Sequence, residues 1–252
     1  MFGTEDAAYY SVSWSPRVGA YQALLELNDK SDGVADYLLP NTQLRFAFRD
    51  SKCDAGESLT ATLHLTREAF HGQGVSAIVG AACSGASVTA AQVAGGSHVP
   101  IVSPTAVSST MSNGKAYPYF MRVIPSDTFS SIAMLDVLQT LFGYSSVAFV
   151  HSDDAYGAAG QVAFAAATEE AGMRIVTTQG FAKDATDFPA QQQALRKSAA
   201  RVIVLYCQVS DGSRFLRTAM QADVGGEGFL WLGSGAFSDS GLWEADGMLS
   251  SD

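Results

Sequence analysis

Three short segments carry the residue types that could hold a small ligand. Each follows an apolar run that predicts a β-strand and precedes a pattern that predicts a helix. The segments are residues 80–87 (GAACSGAS), 103–110 (SPTAVSST) and 151–157 (HSDDAYG). Small residues let a ligand approach the backbone, and N–H groups at a helix start favour an anion. A carboxylate or phosphate beside Ser84 is therefore expected, although ordinary strand-to-helix turns use the same residue types.

The elements that would position these segments alternate along the chain. Predicted strands cover residues 44–48, 75–79, 99–102, 119–124, 146–150, 174–178, 202–208 and 229–232, and predicted helices cover 57–70, 88–94, 127–142, 160–171, 188–198 and 213–222. This alternation is typical of parallel sheets joined by right-handed helical crossovers, so the predicted fold class is α/β. Consecutive apolar residues at 202–205 indicate helices on both sheet faces. In such sheets ligands lie beyond the carboxyl ends of the strands, where the three segments fall.

Composition excludes several partners. The chain has 252 residues, a formal net charge of −10 and no run of basic residues, which argues against nucleic acid. No stretch reaches the roughly 20 apolar residues of a transmembrane helix. The start, MFGTED, lacks the basic segment and apolar core of a signal peptide, which would fit a cytoplasmic protein or a piece of a longer one.

Catalytic motifs are weak. Residues 80–85 do not match the glycine pattern of dinucleotide-binding enzymes, and residues 233–235 (GSG) lack a third glycine, so a nucleotide-dependent α/β enzyme is the least favoured alternative. Residues 112–115 (SNGK) satisfy S-x-x-K, but Asn-Gly favours a turn there instead of the required helix. The four histidines form no metal-binding pair. The sequence predicts no enzyme, no cofactor and no metal.

Four motifs in order resemble a known family. They are residues 38–44 (LLPNTQL), 80–84 (GAACS), 99–104 (VPIVSP) and 119–127 (YFMRVIPSD). Together they resemble type I periplasmic binding proteins, among them the leucine/isoleucine/valine-binding protein, and the extracellular domains of class C G-protein-coupled receptors and natriuretic-type receptors. The resemblance runs from about Gly19 to Phe237.

The resemblance implies a two-lobed Venus-flytrap fold with a hinge crossover near residues 120–125. Lobe one is expected at 1–120, without its initial strand, and an incomplete lobe two at 121–252, so the chain is expected to be truncated at both ends. The implied function is an extracellular ligand-binding domain of a membrane receptor that signals by lobe closure. A soluble, periplasmic substrate-binding protein of an amino-acid transporter is the alternative. The implied partners are a small polar ligand such as an amino acid, a transmembrane signalling module or permease outside this chain, and a second copy contacting lobe one.

The resemblance also assigns ligand-binding roles. Ser84 is expected to donate to a ligand α-carboxylate, while Thr105 and Ala106 supply backbone contacts from the second loop. Tyr156 matches an aromatic residue that lobe two brings over the ligand. Asp127 matches an acid near the ligand amine, although its position before a predicted helix favours an N-cap role.

Two residues depart from the amino-acid binders of the family. Val107 stands where these proteins carry a hydroxyl, and Gly235 stands where an acid pairs with the ligand ammonium. Because a buried ammonium without a partner charge is costly, an amino-acid ligand would require Asp127 or Asp154 as a substitute. A simple carboxylate or another polar metabolite stays an open alternative, as does a pocket that has lost its ligand.

Two of the three cysteines would imply an exported protein if they pair, and two unpaired thiols near strand ends are the alternative. The resemblance pairs Cys53 with Cys83 in a disulfide, which forms in oxidising compartments and needs Cα atoms closer than about 7 Å. Cys207 lies in an apolar run and is predicted to be a buried thiol.

Overall fold

The chain divides into two compact units, each built on a parallel sheet. The computed structural model describes residues 10–237. Within that range the first unit contains residues up to 106 and 111–124, and the second contains 107–110 and the chain from 125 onward. The predicted α/β class is confirmed. Across the described residues, no helix combines the length and the apolar character that crossing a membrane requires.

The first unit holds a three-stranded sheet in the order β1-β2-β3. Its strands and helices are α1 (Tyr10–Asn28), α2 (Ala55–Arg67), α3 (Ala69–Gly72), β1 (Ile78–Val79), α4 (Ser84–Gly96), β2 (Ile101–Ser103) and β3 (Phe120–Arg122), with a 3-10 turn at Ser109–Ser112 before β3. All three strands are parallel, and Ile101 of β2 faces both Ile78 and Phe120. Their carboxyl ends therefore share one edge of the sheet.

Small side chains let α2 and α4 pack closely. Ala86 and Ala90 of α4 are fully buried, and Ala61 of α2 joins the same apolar cluster. The buried hydroxyl of Ser58 donates to the carbonyl of Ala86 at 2.7 Å. This contact fixes the first turn of α4, which carries Ser84.

The strand predicted at 44–48 was wrong: the structure has no strand over these described residues. The backbone of Leu44 is held by a side chain, since its N–H donates to Asn28 Oδ1 at 2.7 Å and its carbonyl accepts from Asn28 Nδ2 at 2.9 Å. Asn28 ends α1, a helix that the sequence pattern did not predict. The amide of Asn28 thus takes the place of a neighbouring strand at Leu44.

The second unit holds a four-stranded parallel sheet in the order β5-β4-β6-β7. Helix α5 (Asp127–Asp136) continues as one π-helical turn (Val137–Leu141). It is followed by β4 (Ser146–Ser152), α6 (Ala155–Glu170), β5 (Arg174–Phe181), α7 (Pro189–Ser198), β6 (Val202–Tyr206), α8 (Val209–Gln221), β7 (Leu230–Gly233) and a 3-10 turn (Gly235–Phe237).

Both faces of this sheet are buried, as the continuous apolar runs predicted. Phe149 of β4 and Val204 of β6 point to one face and join a cluster with residues of α5 and α6. Their neighbours Val150 and Leu205 point to the other face and join a cluster with residues of α7 and α8. Because side chains alternate along a strand, consecutive apolar residues supply two cores at once.

Candidate ligand-binding site

Ser84 lies at the carboxyl edge of the first sheet. It is the first residue of α4, directly after the loop that follows β1, and its residue surface is 3% exposed. The preceding residue, Cys83, forms a disulfide with Cys53, with 5.4 Å between the two Cα atoms. Asp54 then caps α2 by accepting from the Glu57 N–H at 2.9 Å. The predicted disulfide is confirmed, and it ties the starts of α2 and α4 together.

Thr105 and Ala106 lie at the same edge, in the loop after β2. The Thr105 hydroxyl donates to the Ala82 carbonyl at 2.9 Å. The Ser103 hydroxyl donates to the Ala81 carbonyl at 2.6 Å and accepts from the Ala106 N–H at 3.0 Å. The first two loops are thus bonded to each other, and Ser103, which begins the second candidate segment but was assigned no role of its own, accepts from the backbone N–H of Ala106.

Tyr156 is oriented by the capped start of α6 in the second unit. Asp154 Oδ1 accepts from the N–H groups of Tyr156 and Gly157, at 3.1 and 2.8 Å, and from the Ser152 hydroxyl at 3.0 Å. A Cβ at Gly157 would lie 2.0 Å from the Ser152 carbonyl oxygen. A glycine there lets α6 begin directly after β4, with Tyr156 in its first turn.

The N-cap role favoured for Asp127 was wrong. The N-cap of α5 is Ser126, and Asp127 is the first helical residue. Its N–H donates to the Val107 carbonyl at 2.9 Å, and its carboxylate accepts a hydrogen bond from the Tyr206 hydroxyl. Asp127 is 1% exposed. The carboxylate therefore turns toward Tyr206 of β6.

Tyr206, the last residue of β6, connects the candidate residues of the second unit. Its ring centroid lies 4.9 Å from that of Tyr156. The side chains of Ser234 and Tyr206 lie within interaction distance of the Tyr156 hydroxyl. Burial raises the pKa of both tyrosines far above their ordinary value, with the nearby Asp127 carboxylate adding to the effect. Both hydroxyls therefore stay protonated at neutral pH and act as hydrogen-bond donors.

The network joins four segments at the carboxyl edge of the second sheet. Asp127 starts α5, Tyr156 follows β4, Tyr206 ends β6 and Ser234 follows β7. Sequence reasoning found the first two and missed Tyr206 and Ser234. The available signal was Tyr206 itself, because a tyrosine at the end of the buried run VIVLY needs a partner for its hydroxyl.

An ion pair anchors the loop after β5, on the other face of the same sheet. The buried carboxylate of Asp211 accepts from the Asp184 N–H at 3.0 Å and from the Arg214 guanidinium. Arg214 Nε also donates to the Ala185 carbonyl at 3.1 Å. Burial raises the pKa of the Asp211 carboxyl despite these partners. This cluster holds loop and helix together by internal bonds.

Cys207 is a buried free thiol, as predicted, and burial raises its pKa well above the ordinary value. It packs in the apolar cluster on the α7 and α8 face. The region from 10 to 237 shows no group of three or more His, Cys, Asp or Glu side chains arranged to hold a metal ion.

Comparison with known proteins finds that the sequence of this chain is similar to ligand-binding regions of receptors. A family model described as "Receptor family ligand binding region" matches residues 23–247. The metabotropic glutamate receptor of Drosophila melanogaster is 31% identical over 160 residues, which are 62% of this chain and 16% of the receptor. The human extracellular calcium-sensing receptor is 27% identical over 221 residues, which are 81% of this chain and 20% of the receptor.

A third relative also carries a receptor-like name. The metabotropic glutamate receptor-like protein E of Dictyostelium discoideum is 32% identical over 166 residues, which are 63% of this chain and 20% of that protein. The chain thus spans about a fifth or less of the length of these relatives.

Proposed function

Because this chain belongs to the family of receptor ligand-binding regions, we propose that it binds a small polar ligand, amino-acid-like or a carboxylate, between two closing lobes. The family fold is the two-lobed type I periplasmic-binding-protein or Venus-flytrap fold. In this proposal the first lobe extends to about residue 120 and the second begins near 121. The ligand stabilises the closed state because it contacts both lobes only when they are closed.

One observation carries the proposal. Ser84 begins α4 at the edge where the loops after β1 and β2 are bonded together. The N–H groups of a helix start, together with a serine hydroxyl, provide donors and a favourable dipole for a carboxylate. The residues next to Ser84 are small, in the run Ala81–Ala82–Cys83 and at Gly85, and small residues let a ligand approach the backbone.

We place the domain on the extracellular side of a membrane receptor. The matched relatives are receptors, and the Cys53–Cys83 disulfide is typical of proteins in oxidising compartments. Closure would then be transmitted to a membrane-spanning module.

A thermal-shift screen tests the binding proposal. The probes are L-glutamate, L-aspartate, glutarate and succinate. At one hundred times Kd, a ligand is expected to stabilise the folded protein by about 2.7 kcal/mol. Ser84→Ala removes a hydrogen bond to a charged group, so we expect Kd to rise by roughly ten- to a hundredfold.

Ser97→Ala is the matched control, because Ser97 lies just past the opposite end of α4. It should leave the ligand-induced shift unchanged. The proposal fails if a folded protein responds to none of the four probes, and the placement of the carboxylate fails if Ser84→Ala binds as tightly as the parent.

A further inference from the structure

A carboxylate is buried at the carboxyl edge of the second sheet. Asp127 begins α5 and is 1% exposed, and its Oδ1 accepts from the hydroxyl of Tyr206, the last residue of β6. A carboxylate has about four acceptor positions on its two oxygens, and one hydroxyl proton fills one of them. In parallel sheets ligands lie at this edge. Asp127 can therefore accept from a ligand donor as well as from Tyr206.

The Tyr206 hydroxyl keeps its proton for this bond at neutral pH. Its burial raises the pKa of the hydroxyl far above the ordinary value. A hydrogen bond donated to a carboxylate favours the charged form and gives it one orientation. Without such a donor, a buried carboxylate loses part of the compensation that its burial requires. The Tyr206 hydroxyl thus supports Asp127 as a charged acceptor.

The Tyr206 ring has a defined place, so its hydroxyl has one too. The ring stacks on that of Phe149 of β4, with centroids 6.0 Å apart, and its centroid lies 4.9 Å from that of Tyr156. Gly160 of α6 leaves room for it, since a Cβ at that position would lie 2.2 Å from the ring. Tyr206 thus touches both candidate ligand residues of the second unit, Asp127 through its hydroxyl and Tyr156 through its ring.

From these contacts we infer that Tyr206 is a positioning residue of the ligand site, which holds the Asp127 carboxylate and the Tyr156 ring where they meet a ligand. The inference deepens the proposed function and rests on it, with Asp127 accepting from the N–H or ammonium donors of the ligand. Tyr206 needs no contact with the ligand, because it acts through its two neighbours. Its hydroxyl therefore affects ligands with an ammonium group more than simple carboxylates.

Titration calorimetry with L-glutamate and glutarate tests the inference, because the two probes differ by the α-amino group. Tyr206→Phe keeps the ring and removes the hydroxyl that holds Asp127. Since the lost hydrogen bond involves a charged group, we expect the Kd of L-glutamate to rise about tenfold and that of glutarate to change by less than about twofold. Thr168→Val removes another buried hydroxyl of the second unit and should leave both Kd values unchanged.

Asp127→Asn identifies the group through which Tyr206 acts. The amide keeps the shape of the side chain without its charge, so binding of L-glutamate should weaken selectively. In that background Tyr206→Phe should have little further effect on the ratio of the two Kd values, because the charged acceptor is already absent. Additive effects on the ratio would mean that Tyr206 acts by another route and would overturn the inference.

The remaining outcomes separate this inference from the proposed function. Equal losses for both probes in Tyr206→Phe would mean that Tyr206 only maintains the fold of the second unit, and unchanged Kd values would remove its role. If that variant does not fold, Gly160→Ala decides: it displaces the ring and should weaken L-glutamate selectively, and an unchanged ratio would overturn the inference. A parent chain that binds glutarate but not L-glutamate would also overturn it and leave the proposed function standing. Failure of every carboxylate probe would overturn both.

Discussion

The packing of a single glycine against Tyr206 gives a residue-scale prediction. A Cβ at Gly160 would lie 2.2 Å from the Tyr206 ring, which is fully buried between Tyr156 and Phe149. Gly160→Ala should therefore lower the free energy of unfolding by about 1–3 kcal/mol, because neither the ring nor α6 can move without breaking other contacts. Urea denaturation followed by circular dichroism measures the change.

Gly96→Ala is the matched control for this substitution. Gly96 is also helical, and a Cβ there meets nothing within 4 Å. Alanine has the higher helix propensity, so Gly96→Ala should be neutral or stabilise by up to about 1 kcal/mol. Equal effects at the two positions would mean that Tyr206 has room to move.

Some of the candidate site residues could be predicted from the sequence and others could not. Ser84 and Tyr156 were found because their motifs are local, a strand end followed by a helix start. The Tyr206–Asp127 bond joins positions 79 residues apart, so no local pattern contains it. Val107 stands where amino-acid binders of the family carry a hydroxyl. In this chain its side chain packs against the apolar cluster of α5 and α6.

At the scale of elements, the disulfide fixes the pair α2 and α4. Cys53 and Cys83 are 30 positions apart, and a loop of that length loses about 3–4 kcal/mol of unfolded-state entropy when it is closed. Replacing both cysteines by alanine should therefore lower the stability of the first unit by about this amount, as measured by thermal unfolding without reductant.

Cys207→Ala supplies the comparison. Cys207 is free and lies in the second unit, so this variant should still lose stability when a reductant opens Cys53–Cys83. A Cys53→Ala/Cys83→Ala variant that matches the parent in midpoint would show that the bond adds no stability to the first unit.

Element boundaries were predictable where local pattern and tertiary contacts agree. Strands β4 and β6 were found because their apolar runs meet helices on both faces. Residues 44–48 (LRFAF) are also largely apolar, yet Leu44 bonds to the side chain of Asn28 and the segment forms no strand. Helix α1 was missed because its apolar residues show no clear stripe and Pro16 lies inside it. A strand depends on neighbours that its own sequence does not specify.

For the whole molecule, the two units offer a direct test of lobe closure. Each unit has its own apolar core, so we expect two calorimetric transitions. The disulfide variant should lower the midpoint of the first-unit transition and Gly160→Ala that of the second, which assigns each transition to its unit.

A ligand that contacts both units should raise both midpoints, together by about 5–10 °C at a hundred times Kd. A rise confined to the transition that the disulfide variant lowers would place the ligand on the first unit and reject closure. A rise in both that Ser84→Ala abolishes would mean that one ligand couples the two units, because removing a donor of the first unit then destabilises the second.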